Sequence, residues 1–82
     1  MTLKIKIFSG EQIFFDGEAD SVVAPGEKGS FGILPHHTDF ISILKPGILR
    51  LTDKEKEHRF TVQSGFLEVS SSQVRVFGDM SG

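Results

Sequence analysis

The side chains best able to do chemistry are three histidines and a short row of acids. His36 and His37 are adjacent, Asp39 follows two places on, and His58 lies in a charged turn. A zinc site needs three or four converging ligands. Neighbouring residues of an extended chain point to opposite sides, so His36 and His37 are poorly placed to share an ion. They read as an exposed polar loop, a common kind of contact surface. Asp16, Glu18 and Asp20 alternate along one strand face. A glycosidase pair must face across a cleft that holds a sugar, whereas a solvent-facing acidic row is simply hydrated. Residues 25–32 are glycine-rich but lack the Gly-Lys-Ser/Thr ending of a phosphate loop and lead into no helix. Ser64-Gly65 lacks the flanking pattern of a nucleophile elbow, and Gly65 reads instead as a point where two strands cross closely. No catalytic, cofactor-binding or metal-ligating set emerges, and a chain this short leaves little room for a ligand pocket.

These residues must be positioned by strands. Residues 3–8 alternate apolar and polar, with Leu3, Ile5 and Ile7 inward. Residues 12–15 follow, then a tight-hairpin signal at Asp16-Gly17, then a strand over 18–24 that Pro25-Gly26 stops. Gly29 and Gly32 flank Ser30-Phe31 and suggest positive φ or close backbone approach on either side. Further strands are expected over 31–34, 40–44, 48–52, 59–63, 66–69 and 73–77, and residues 78–82 read as a frayed tail. No helical apolar stripe appears. Eight to ten short strands with turns every eight to twelve residues predict an all-β sandwich or flattened barrel, a single domain over residues 1–82.

Composition narrows the function. The chain has 82 residues, no cysteine and a formal charge of −2, with Lys and Arg scattered along it. Disulfides and thiolate chemistry are excluded, and a basic stripe for nucleic acid is missing. No apolar run is long enough for a membrane span. No leader pattern precedes Leu3, so a cytosolic setting is expected. So short a chain has a marginal core, which favours a covered interface. An exposed apolar strip on one sheet face is therefore expected, with Phe14, Phe40, Ile41 and Phe77 as candidates.

Four motifs in register resemble one known family. They are Asp16-Gly17-Glu18-Ala19-Asp20-Ser21-Val22-Val23-Ala24-Pro25-Gly26, Gly29-x-Phe31-Gly32-Ile33-Leu34-Pro35-x-His37, Leu44-Lys45-Pro46-Gly47 and Ser64-Gly65-Phe66-Leu67-Glu68-Val69. In this order and spacing they are similar to the N-terminal domain of the epsilon subunit of F-type ATP synthase, over about residues 3–79. The resemblance implies a ten-stranded β-sandwich of two packed sheets. It also implies a place on the rotor's central stalk, coupling ion flow through the membrane c-ring to ATP synthesis, without catalysis and without a cofactor.

The partners it implies are the gamma subunit and the c-ring, with no nucleic acid and no membrane insertion. Carried over by position, Ser9, His37 and Ser42 are expected to meet gamma. Glu27, Ser30 and His37 are expected to meet the c-ring. Ser30 stands where the family often has an acid. Pro35-His36-His37-Thr38-Asp39-Phe40 departs from the family's Pro-Gly-His-Ala-Pro-Leu and implies a more polar loop of different shape. Relatives continue into a helical hairpin that can inhibit hydrolysis and in some members binds ATP. For a chain ending at Gly82, neither helix-mediated inhibition nor ATP binding is expected. The implied location is peripheral, on the cytoplasmic face of a bacterial plasma membrane. A reading from a different class is a free-standing ligand- or metal-binding sandwich using His36, His37, Asp39 and His58. A third is a hydrolase using Asp16 and Asp20.

Overall fold

The structure is a computed structural model that describes residues 1–36 and 38–81. Its elements are β1 (Leu3–Ser9), β2 (Gln12–Ala19), β3 (Ser21–Gly26), β4 (Gly29–Ile33), β5 (Phe40–Leu44), β6 (Gly47–Asp53), β7 (Lys56–Ser70) and β8 (Gln73–Ser81). No helix occurs among the described residues.

The long strand β7 organises the layers. Its first part pairs with β6, from Asp53↔Lys56 to Gly47↔Val62, and its second part pairs with β5, from Leu44↔Gly65 to Phe40↔Val69. Residues 40–53 therefore run back along β7 as one arm of a long hairpin. β8 lies on the other edge of β7, β1 runs parallel to β8, and β2 closes that end. β3 and β4 form a second hairpin, with β3 bonded to β6. The strands among the described residues number eight, within the eight to ten read from the sequence and two fewer than the resemblance implies.

The core is the inward row of both layers. Leu3, Ile5 and Ile7 of β1, Val74 and Val76 of β8, and Leu67 and Val69 of β7 face Val22, Ala24, Ile33, Leu49, Leu51 and Val62. The alternation of the sequence thus becomes burial, as the pleat requires. No polar or charged side chain is buried among the described residues.

Four expectations need correction. The strand read over 18–24 breaks at Asp20, and β3 runs on through Pro25-Gly26, which pair with Ser30 and Gly29. Asp16-Gly17 is no hairpin: β2 runs straight through it, with Asp16 opposite Lys6 and Gly17 opposite Ile5. Gly17 instead makes room for a ring, since a Cβ there would lie 3.2 Å from Phe15. Residues 78–81 do not fray: β8 continues to Ser81, and Met80 is buried. Of the two glycines flanking Ser30-Phe31, Gly29 has φ +129°, but a Cβ on Gly32 would approach nothing closer than Val22 O at 3.9 Å.

Asp20, read from sequence as one of a solvated row, closes the β6–β7 turn. Its Oδ2 accepts from Lys54 N at 2.7 Å, and Lys54 holds φ +58°. Asp20→Ala should cost about 1 kcal/mol, lowering Tm by roughly 4–8 °C in a domain of this size. Asp20→Asn keeps the acceptor and should recover most of the loss in the same thermal melt.

Candidate docking site

The outer face of the β2-β1-β8-β7-β5 layer carries a continuous apolar row. Register aligns Ile13, Phe8, Phe77, Phe66 and Ile43 across five strands. Directly opposite residues project to the same side, and their chain neighbours Ile7, Val76 and Leu67 are the buried row beneath. The three rings are stacked: Phe8 on Phe77 at 4.9 Å and 7°, Phe77 on Phe66 at 5.0 Å and 22°. Stacking covers Phe8 and Phe77 in part, but Ile13, Phe66 and Ile43 remain 55%, 43% and 59% exposed.

The next row on this face is charged over four strands: Asp16, Lys6, Arg75 and Glu68, then Ile41 at 68% exposure. Arg75 pairs with Glu68 at 3.3 Å, both partly in solvent. Such a pair adds little stability and serves better to orient a partner. Of the residues expected in an exposed strip, Phe77 lies in the apolar row and Ile41 beside it. Phe14 and Phe40 instead pack against the core.

Phe66, Phe8, Ile13 and Ile43 were missed because stacking across β1, β8 and β7 depends on register. The signal available in sequence was local. Phe66 follows Gly65, and Phe8 and Phe77 end alternating strands on the outward phase.

At the β5 end the row meets a rim. The β3–β4 hairpin turns at Glu27-Lys28 and leans on β5, with Glu27 N donating to Ile43 O and Lys45 N donating to Pro25 O, each at 3.0 Å. Beneath it Phe31 meets Phe40 edge to face at 5.5 Å. An open groove results, lined by Glu27, Ser30 and Ser42 together with Ile41 and Ile43. Three residues singled out from sequence are therefore brought together. Glu27 and Ser30 are exposed. Ser42 is half-buried, and its Oγ donates to Ile43 O at 3.3 Å.

Ser9 lies elsewhere, at the far end of the row beside Phe8. It is engaged internally, Oγ donating to Met80 O at 3.3 Å and accepting from Met80 N at 3.1 Å. Ser9 and Ser42 neighbour Phe8 and Ile43 in the chain, so their side chains project to the inward side of the layer, Ser42 opposite the buried Leu67. His37 lies outside the described residues.

The groups considered for chemistry are placed separately. His58 is near the start of β7 with its ring 5.3 Å from that of Phe15. Asp39 bonds Ser71 N beyond the other end of β7, and His36 Nε2 lies 2.9 Å from Met1 Sδ. Glu18 accepts from Thr2 Oγ1, and Asp20 from Lys54 N. Among the described residues no three His, Cys, Asp or Glu side chains form a group able to hold a metal. The described residues hold no helix long and apolar enough to cross a membrane.

Comparison with known proteins gives a consistent result. The family model described as "ATP synthase, Delta/Epsilon chain, beta-sandwich domain" matches residues 2–80. The ATP synthase epsilon chain of Maricaulis maris is 38% identical over 77 residues, covering 94% of this chain and 58% of that protein. That of Thioalkalivibrio sulfidiphilus is 42% identical over 81 residues, covering 96% and 57%. The chain spans less than two thirds of the length of these relatives. Among solved structures, a chain of the Euglena gracilis mitochondrial ATP synthase (OSCP/F1/c-ring) superposes with a TM-score of 0.89 at 18% identity, covering 94% of this chain and 50% of that one. A chain of the Tetrahymena thermophila mitochondrial ATP synthase (central stalk/c-ring) superposes at 0.78 and 17% identity, covering 98% and 66%.

Proposed function

We infer that this chain, which belongs to the ATP synthase delta/epsilon chain β-sandwich family, is a non-catalytic rotor subunit of the central stalk of an F-type ATP synthase. It sits between the gamma subunit and the c-ring and helps carry rotation between ion flow and ATP synthesis. The observation that carries this reading is the aromatic row. A single-layer outer face exposing Ile13, Phe66 and Ile43 around stacked rings is a surface made to be covered.

Gamma takes this face. Ser9 and Ser42 are chain neighbours of Phe8 and Ile43 in its row, and His37 is assigned to the same contact by family resemblance alone. The backbone bonds of the central strands are already used within the sheet, so the contact is through side chains. The c-ring takes the rim, where Glu27 and Ser30 stand exposed on the short β3–β4 hairpin, and His37 is assigned to this contact by family resemblance alone. The family relationship and the central-stalk and c-ring assemblies of the structural neighbours support the same assignment. On this reading the protein is peripheral, within the F1 sector on the cytoplasmic face of a bacterial plasma membrane.

The experiment is a titration of the purified gamma subunit of the same organism with this chain, followed by thermal melting of the chain with and without zinc. Saturable one-to-one binding, and a Tm that gamma raises and zinc leaves alone, are expected, since only a ligand of the folded state raises Tm. A chain that ignores gamma but gains Tm with zinc would return the reading to a metal-binding sandwich.

A further inference from the structure

The sheet is open along one side of β5. On its closed side β5 pairs with β7, from Phe40↔Val69 to Leu44↔Gly65. On the other side, among the described residues, it meets β3 only at Gly26↔Leu44, where that hairpin turns back. The bonds made there fix which way the backbone of β5 points. Glu27 N donates to Ile43 O, and Lys45 N donates to Pro25 O. Backbone groups of successive residues alternate between the two sides of an antiparallel strand. Ile43 and Lys45 thus point away from β7, and Ile41 does the same. Among the described residues nothing bonds Ile41 N, Ile41 O or Ile43 N. These groups face the groove between β5 and the hairpin, along the line that β3 leaves after Gly26. The side chains of Ile41 and Ile43 stand beside it on the outer face, 68% and 59% exposed. Natural edges are blunted by charge, proline or a bulge. Residues 41–43 read Ile-Ser-Ile, in unbroken register with β7, and carry none of these.

We propose that this edge receives an extended segment of the gamma subunit, which adds a short strand to β5. The inference rests on the rotor reading above and deepens it. Ile43 ends the apolar row assigned to gamma, so a partner that covers the row arrives at the open edge. An extended backbone offers donors and acceptors at the spacing of that edge, and main-chain bonds then supply affinity while alternate side chains supply specificity. Every second side chain of the incoming strand lies on the outer face, against Ile41 and Ile43. The segment is therefore apolar at alternate positions. The central strands spend their backbone bonds within the sheet, and β5 is where the contact goes beyond side chains.

The test uses the full chain and the purified gamma subunit of the same organism. Ile41→Pro removes the outward N–H and sets a ring in the path of the incoming strand. It costs no bond to β7, because that N–H points away from β7, and proline is tolerated on a sheet edge. Ile41→Ala removes the side chain and keeps the donor. By calorimetry Ile41→Pro should bind gamma about tenfold or more weakly than Ile41→Ala, from one lost hydrogen bond and a clash. Equal affinities would overturn the added strand and leave the side-chain contact standing. Thermal melting checks that Ile41→Pro folds. If it does not, amide exchange in the unsubstituted complex decides. The Ile41 and Ile43 amides should exchange about tenfold or more slowly once gamma is bound, and unslowed exchange would overturn the proposal. Self-association of the chain in sedimentation that Ile41→Pro abolishes would give the edge to a second copy and overturn it as well. If the unsubstituted chain does not bind gamma, the rotor reading falls and the added strand falls with it.

Discussion

Gly65→Ala should remove most of the folding stability of this chain. A Cβ at Gly65 would stand 2.2 Å from Phe77 O and 2.9 Å from Gly78 Cα. The partner glycine is equally confined, with a Cβ on Gly78 falling 2.1 Å from Ser64 O. Both obstacles are backbone, so no side chain is free to swing aside. Relief requires β7 and β8 to part where they cross, and that pulls on the buried pairs to either side, Val62 with Met80 and Leu67 with Val76. A domain of this size has roughly 4–12 kcal/mol in total, and overpacking of this severity belongs with the largest single-residue effects, about 4 kcal/mol or more.

Urea unfolding of Gly65→Ala should show a greatly lowered midpoint or no folded baseline. The Gly65→Ala/Gly78→Ala double variant should lose less than the two single losses together, because either methyl forces the same separation. Gly32→Ala is the contrast, since its Cβ meets only Val22 O at 3.9 Å, and its stability should change by about 0.5 kcal/mol or less. A Gly65→Ala chain as stable as Gly32→Ala would refute the crossing.

The same glycines mark how far the sequence is legible. The inward residues Leu3, Ile5, Ile7, Phe60 and Val62 follow from alternation alone, because a pleated strand converts period two directly into burial. Gly65 as a crossing point was legible too, since an isolated glycine within a strand pattern has few other uses. Asp16-Gly17 misled because its turn propensity is a local preference, overridden when Phe15 to Ala19 of β2 pair in one register with Ile7 to Leu3 of β1. The tail misled in the same way. Gly78 and Asp79 look like an ending, yet the buried Met80 and its two bonds with Ser9 hold them in the sheet.

Long-range partners were hidden. Asp20 with Lys54 and Asp39 with Ser71 are 34 and 32 residues apart, and nothing local announces either. Of the docking site, the rim residues Glu27, Ser30 and Ser42 were reached through family resemblance. The aromatic row needed the β1–β8 and β7–β8 registers before Phe8, Phe77 and Phe66 could be seen as neighbours.

That row carries the second large expectation. Phe66→Ser should abolish most of the affinity for gamma while leaving the fold in place. Phe66 is more than two-fifths exposed and lies on the outer face, so its loss leaves no internal cavity, and stability should fall by about 1 kcal/mol or less, the share of its stacking on Phe77. In a covered interface the same ring would be a central aromatic anchor, flanked by Ile43 and Phe77 and fully desolvated. Anchors of that kind contribute about 2 kcal/mol or more, close to a 30-fold change in Kd.

Ile48→Ala provides the control. Ile48 is similarly exposed, at 46%, on β6, outside the row, and its removal should leave gamma affinity within about twofold. The charged row beside the rings should behave differently again. Glu68→Gln, which breaks the exposed pair with Arg75, should slow association at low salt and leave dissociation nearly unchanged. Comparable losses for Phe66→Ser and Ile48→Ala would show that exposed apolar area alone governs binding. Full affinity in Phe66→Ser would remove gamma from this face altogether.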